Sequence, residues 1–155
     1  FRVVRVLYNL GDSVGRRLLQ EEYLSNPTLG RRASEILAKE GNEQAAAYLL
    51  EFLKQRYDER DETVLKMRAD AVAALIQGGE STRISVLQEQ LRSDNRRVGR
   101  YACEKLVDIG SLSLMKLLQP AMENAHSGLA AEACLSVVAL ADPDGLRERV
   151  LEFRR

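Results

Sequence analysis

RRVGRYACEKLVDIGSLSLMKLLQPAM, residues 96 to 122, is the stretch whose reading decides the fold. Ala102, Leu106 and Ile109 follow the three- and four-residue spacing of one helical face. Gly110 stops that helix, because glycine enters the left-handed conformation at little steric cost. Ser111 stands where it can cap a following helix by accepting a backbone N–H. Leu114, Leu118 and Met122 then carry a second apolar stripe. The stretch therefore predicts helix, glycine joint, helix, a hairpin too small to bury both of its apolar faces alone.

Working outward, the same frame recurs. Gly11, Gly41, Gly79 and Gly110 fall in one column, with Ala141 in a fifth unit. Eight positions earlier stand Val3, Ala33, Ala71, Ala102 and Ala133, and four earlier Leu7, Leu37, Leu75, Leu106 and Val137. Small residues in the first column let helices approach, and larger ones in the second fill a core. Eight positions after the joint come Leu19, Leu49, Leu87 and Leu118, and twelve after it Tyr23, Leu53, Leu91, Met122 and Phe153. Four columns in one frame predict a repeat. The residues following the joints, Asp12, Asn42, Ser111 and Asp142, read as N-caps, with Ser81 preferred over Glu80 in the third unit. The predicted units are about 1–26, 28–57, 63–93, 95–124 and 127–155 of a single domain. Thr28 caps the second, and YDERDET, residues 57 to 63, lengthens the following link as a solvated loop. Pro120 is expected to bend the last helix of the fourth unit. FRVVRVLY at the start reads as a strand by propensity, but the column match makes it a helix. That helix is apolar on nearly every side, unlike a normal terminal repeat, so preceding sequence or a partner is expected to cover it. A start at Phe1 rather than methionine points to a piece of a longer polypeptide.

The spaced Val, Ala, Leu and Ile-Gly of residues 97 to 118, with the leucines of the second helix, resemble a HEAT-like repeat of the short bacterial kind, also seen in phycobilisome-lyase-type proteins. The resemblance implies an all-α, right-handed α-solenoid of about five antiparallel helical hairpins. The tetratricopeptide alternative lacks its tryptophan, glycine-tyrosine and proline marks at 34-residue spacing.

The composition, 45% hydrophobic and 30% charged, is that of a soluble globular protein, and a formal net charge of zero argues against a strong non-specific polyanion binder. Eighteen of the 23 basic residues are arginine, suited to forked pairing with carboxylates. Cys103 and Cys134 occupy equivalent helix columns and read as small semi-buried thiols, consistent with a reducing compartment such as the cytoplasm. No apolar run is long enough for a membrane span. His126, the single histidine, stands in a link without a recurring partner, and no phosphate loop, dinucleotide fingerprint, zinc spacing or nucleophile elbow is present. No catalytic, metal or cofactor site is predicted.

The resemblance further implies that second helices line a concave surface. On that basis Arg17, Gln20, Glu51, Gln88, Glu89, Lys116 and Gln119 are the candidate partner-binding residues. Arg17–Glu21, Glu51–Lys54 and Glu89–Arg92 have helix-pair spacing, which would neutralise part of the surface. The expected role is a non-enzymatic scaffold or adaptor that binds a protein or an adjacent domain of the same parent chain. The alternative is nucleic-acid binding through Arg16-Arg17, Arg31-Arg32, and Arg96-Arg97 with Arg100.

Overall fold

The computed structural model describes residues 1–26, 29–58, 60–123, 132, 133, 135–137 and 141. Its elements are α1 (Arg2–Asn9), α2 (Ser13–Leu18) running on into a π-helical turn (Leu19–Tyr23), α3 (Gly30–Ala38), α4 (Glu43–Lys54) and α5 (Glu62–Gln77). There follow α6 (Ser85–Leu91), α7 (Arg96–Ile109), a 3-10 segment (Leu112–Leu118) and α8 (Gln119–Met122). The described residues contain no strand, so the fold is all-α. Residues 132, 133, 135–137 and 141 are helical, and the rest of the predicted fifth unit, with His126 and Cys134, lies outside the described residues, as does Thr28.

The joints are the most regular feature of the backbone. Gly11, Gly41, Gly79 and Gly110 have φ of 76°, 77°, 96° and 72°, and no other described residue has a positive φ. At the first three the same two hydrogen bonds close the helix. Gly11, Gly41 and Gly79 donate to Tyr8, Ala38 and Ile76, while the next residues, Asp12, Asn42 and Glu80, donate to Leu7, Leu37 and Leu75. This is the Schellman closure, and the leucine column supplies its deepest carbonyl. Gly110 makes the simpler single bond, to Leu106. Asp12 then accepts from the Val14 and Gly15 amides, and Asn42 from the Ala45 amide, so both cap the next helix as predicted.

By contact the chain divides into two compact units, residues 1–56 with 74–81 and residues 57–73 with 82–155. In the first, α1 packs on α2, α3 on α4, and α3 on the π-helical turn. A Cβ placed on Gly15 would lie 2.5 Å from the Tyr8 amide nitrogen, so the α1–α2 crossing depends on the missing side chain. A Cβ on Gly78 would lie 1.9 Å from the Ala38 carbonyl oxygen. Leu19, Leu37, Leu49 and Leu75 form the sealed centre, all at 1% exposure or less. In the second unit α6 and α7 pack on each other and on the 3-10 segment, around the buried Leu87, Leu91, Val98, Ala102, Leu106 and Leu118.

Several local expectations are corrected. Ser81 does not cap the sixth helix: a turn over residues 82–84 intervenes, α6 starts at Ser85, and its N-cap Ile84 makes no side-chain bond. Ser111 sits at the cap of the 3-10 segment, but its hydroxyl pairs with that of Ser113 at 2.8 Å instead of with a backbone amide. Pro120 does not bend a continuous α-helix; it lies in the first turn of α8, preceded by the 3-10 segment. The reason is local. Proline has no N–H for the Lys116 carbonyl four residues back, and the tighter 3-10 winding lets the Gln119 N–H reach that carbonyl instead. The change of pitch also breaks the predicted Leu114–Leu118–Met122 stripe: Leu118 is fully buried, whereas Met122 is 41% exposed. Finally, the acidic link ends sooner than predicted, because Asp61 accepts from the Thr63 and Val64 amides and α5 begins at Glu62.

Candidate interaction surfaces

In the first unit, α1 leaves an apolar face uncovered. Val3 is 71% exposed, Val6 55% and Leu10 77%, while Val4 is buried. Val6 and Leu10 are one turn apart, Val3 and Val6 three residues apart, so the three form a stripe along one side of the helix. Arg2 and Arg5 flank it and are exposed. Behind it, burial raises the Tyr8 phenol well above its ordinary range, with the Glu40 carboxylate adding to the effect. Of the predicted partner-binding residues, Arg17, Gln20 and Glu51 belong to this unit and all three are exposed. Arg17 stands 4.0 Å from Glu21, and Glu51 accepts from Lys54 at 3.0 Å.

The remaining four belong to the second unit. Glu89, Lys116 and Gln119 are exposed and Gln88 is half-buried. Gln119 donates to Glu123, one turn on. The anticipated Glu89–Arg92 pair is not formed, since α6 ends at Leu91 and Arg92 is already its C-cap. Each set faces solvent within its own unit.

Most of the clustered arginines are matched by carboxylates. Arg16 pairs with Glu40 at 3.1 Å, Arg31 with Glu35, Arg97 with Glu62 at 3.8 Å, and Arg100 with Glu104 at 3.2 Å. Glu62 is held below the usual carboxylate range, chiefly by the hydrogen bond from Lys66. On the α5–α7 side of the second unit, the Tyr101 hydroxyl donates to Asp70 at 2.8 Å and Lys105 bridges Asp70 and Asp108 at 3.2 and 2.9 Å. Burial first, then the bond to Asp70, pushes the Tyr101 phenol up to about 12.

Two buried polar side chains escape a reading of the sequence. Arg68, in α5, is 7% exposed, and its guanidinium lies 4.0 Å from the centre of the Tyr57 ring. Gln90, in α6, is 4% exposed; its Nε2 donates to the Leu65 carbonyl at 2.8 Å, while its Oε1 has no partner among the described residues. Both residue types are usually solvent-facing, so residue type gave no signal. For Gln90 the apolar columns at Leu87 and Leu91 were a partial clue, since Gln90 lies three after one and beside the other.

Cys103 is fully buried. Among the described residues no group of three or more His, Cys, Asp or Glu is placed to hold a metal ion, and no helix is long and apolar enough to cross a membrane. No protein-family model matches the chain, and no curated protein or solved structure matches it.

Proposed function

We propose that the chain is a non-enzymatic interaction scaffold, built as a HEAT-like, right-handed α-solenoid of five helical hairpins, and that it binds a protein or a neighbouring domain. The uncovered stripe Val3–Val6–Leu10 carries this reading. Three large aliphatic side chains kept in water along one helix form an unfavourable surface unless something apolar covers it. The regular joints and the leucine column support the repeat architecture. In this reading Arg17, Gln20, Glu51, Gln88, Glu89, Lys116 and Gln119 supply polar contacts around apolar anchors.

The test is a photo-cross-linking residue introduced at Val6 in cells that make the protein. A discrete adduct with another polypeptide, lost when Leu10→Glu is added, is the expected result; absence of any adduct removes the stripe as a docking surface. The nucleic-acid reading is weaker, because Arg16, Arg31, Arg97 and Arg100 are already engaged by carboxylates, which a phosphate track would have to displace. A complex with generic duplex DNA that survives physiological salt would reverse that ranking.

A further inference from the structure

We propose that Arg68, stacked on Tyr57, is a receptor for a carboxylate carried by a peptide, with the Gln90 carboxamide accepting an N–H from the same ligand. Arg68 is a cation removed from water without a counter-ion among the described residues: its Nε is sealed from solvent and makes no hydrogen bond. A charge in that position is costly unless paired. Only Nε of its guanidinium is both sealed and unbonded, so the terminal nitrogens keep the contact with solvent through which a ligand would approach.

The described carboxylates nearest in sequence are committed elsewhere. Asp58 accepts from the Arg60 amide, Asp61 caps α5, Glu62 pairs with Lys66 and Arg97, and Asp70 is shared by Tyr101 and Lys105. The Tyr57 ring covers one face of the guanidinium, which leaves its in-plane N–H groups, those of the terminal nitrogens in contact with solvent, to pair with a carboxylate in forked fashion. Gln90 adds the second half. Its Nε2 is bonded to the Leu65 carbonyl, one helical turn before Arg68, so the carboxamide lies against the turn of α5 that carries the arginine. A buried donor, Arg68 Nε, and a buried acceptor, Gln90 Oε1, thus lie on or against the same stretch of α5, each without a hydrogen bond among the described residues. A carboxylate alone satisfies only the first, whereas an acidic residue in a peptide brings an amide N–H for the second.

The inference rests on the protein-binding reading only in taking a polypeptide as the ligand, and it makes no use of α1. The experiment follows the Arg68 Nε–Hε resonance of the whole chain at fixed ionic strength. The additions are acetate, inorganic phosphate, sodium chloride and an N-acetylated triglutamate peptide. A saturable shift with the peptide, at affinity at least about tenfold above that for acetate, is expected. In parallel, Arg68→Lys is expected to weaken binding of the labelled peptide about tenfold or more while circular dichroism is unchanged, because an ammonium lacks the fork. No saturable shift with the peptide overturns the proposal. Acetate binding as tightly as the peptide overturns the peptide assignment, and a tighter response to phosphate overturns the carboxylate one. A resonance that moves in Glu59→Gln with nothing added identifies an internal counter-ion and also overturns it. None of these results bears on cross-linking at Val6.

Discussion

Helices α1 and α7 are written to the same template, and the molecule treats them in opposite ways. In α7 the small-residue column is Ala102, fully buried, followed by Leu106, also fully buried, while Arg96, Arg97, Arg100 and Asp108 face water. In α1 the matching positions are Val3, 71% exposed, and Leu7, half-buried, with Val6 and Leu10 exposed beside them. Ala33, Ala71 and Ala133 side with α7, each fully buried. A shared sequence column therefore specifies which residue type belongs at a position, whereas burial there depends on what packs against it. Valine in the column where α3, α5 and α7 have alanine adds further apolar surface to the exposed face of α1.

The largest effect that separates the two helices is truncation of the leucine column. Leu106→Ala removes a fully buried side chain and is expected to destabilise by about 2–5 kcal/mol, as buried leucine truncations do. Leu7→Ala, at a half-covered site, is expected to cost about 1 kcal/mol. Urea unfolding of both variants measures the gap; equal costs would mean that α1 is as tightly packed as α7, and the comparison would fail. Next is an exchange in the small-residue column. Ala102→Val inserts two methyl groups into a filled site and should cost about 1–3 kcal/mol. Val3→Ala should change stability by no more than about 0.5 kcal/mol, the surface range. It should, however, weaken any cross-linked complex formed through Val6.

These variants also mark how far the sequence can be read. The joints were legible because a positive φ nearly demands glycine, and four glycines in one column leave little else to specify. The leucine columns were legible because i, i+4 spacing follows from helix geometry. The π-helical turn at Leu19–Tyr23 was not, since Leu24 donating to the Leu19 carbonyl leaves no mark in residue type. The Pro120 segment was half-legible: the missing N–H marks a break, but whether the chain bends or rewinds depends on which donor reaches Lys116. At the surfaces, Arg17, Gln20 and Glu51 are exposed as their polar character suggests, whereas Arg68 gave no signal and Gln90 only the partial one of its apolar neighbours, because long polar side chains are buried only by what folds over them.

A smaller effect concerns the polar side of α7, which has no counterpart on the exposed face of α1. Tyr101→Phe removes the hydrogen bond to Asp70 and is expected to cost about 1 kcal/mol at neutral pH, below the usual range for a bond to a charged group because the site is partly open to water. Its pH dependence follows from the phenol, pushed up to about 12 from an ordinary 10. A pKa raised in the folded state gives stability that is complete below pH 10 and is lost as pH rises towards 12. The difference in Tm between wild type and Tyr101→Phe should accordingly be constant up to about pH 9 and shrink above pH 10. A gap that stays constant through pH 12 would remove Asp70 and burial as the cause.

The smallest effect expected is a difference between two differences. Gly11→Ala and Gly110→Ala each place a Cβ at positive φ, 76° and 72°, with nothing within 4 Å in the first case and only the Val107 carbonyl at 3.9 Å in the second. Each substitution incurs the left-handed penalty of about 1–2 kcal/mol, partly offset by lower entropy in the unfolded chain, for a net cost of about 1 kcal/mol. Because that penalty resides in the backbone, it should be nearly the same at the end of the uncovered α1 as at the end of the sealed α7. Urea unfolding of the two variants should agree to within about 0.5 kcal/mol. A much smaller cost at Gly11 would mean that α1 frays before the rest of the chain unfolds, so that its joint is not closed when the global transition is measured. In that case the contrast between α1 and α7 would lie in helix formation itself, and the apolar stripe would be presented only when a partner orders it.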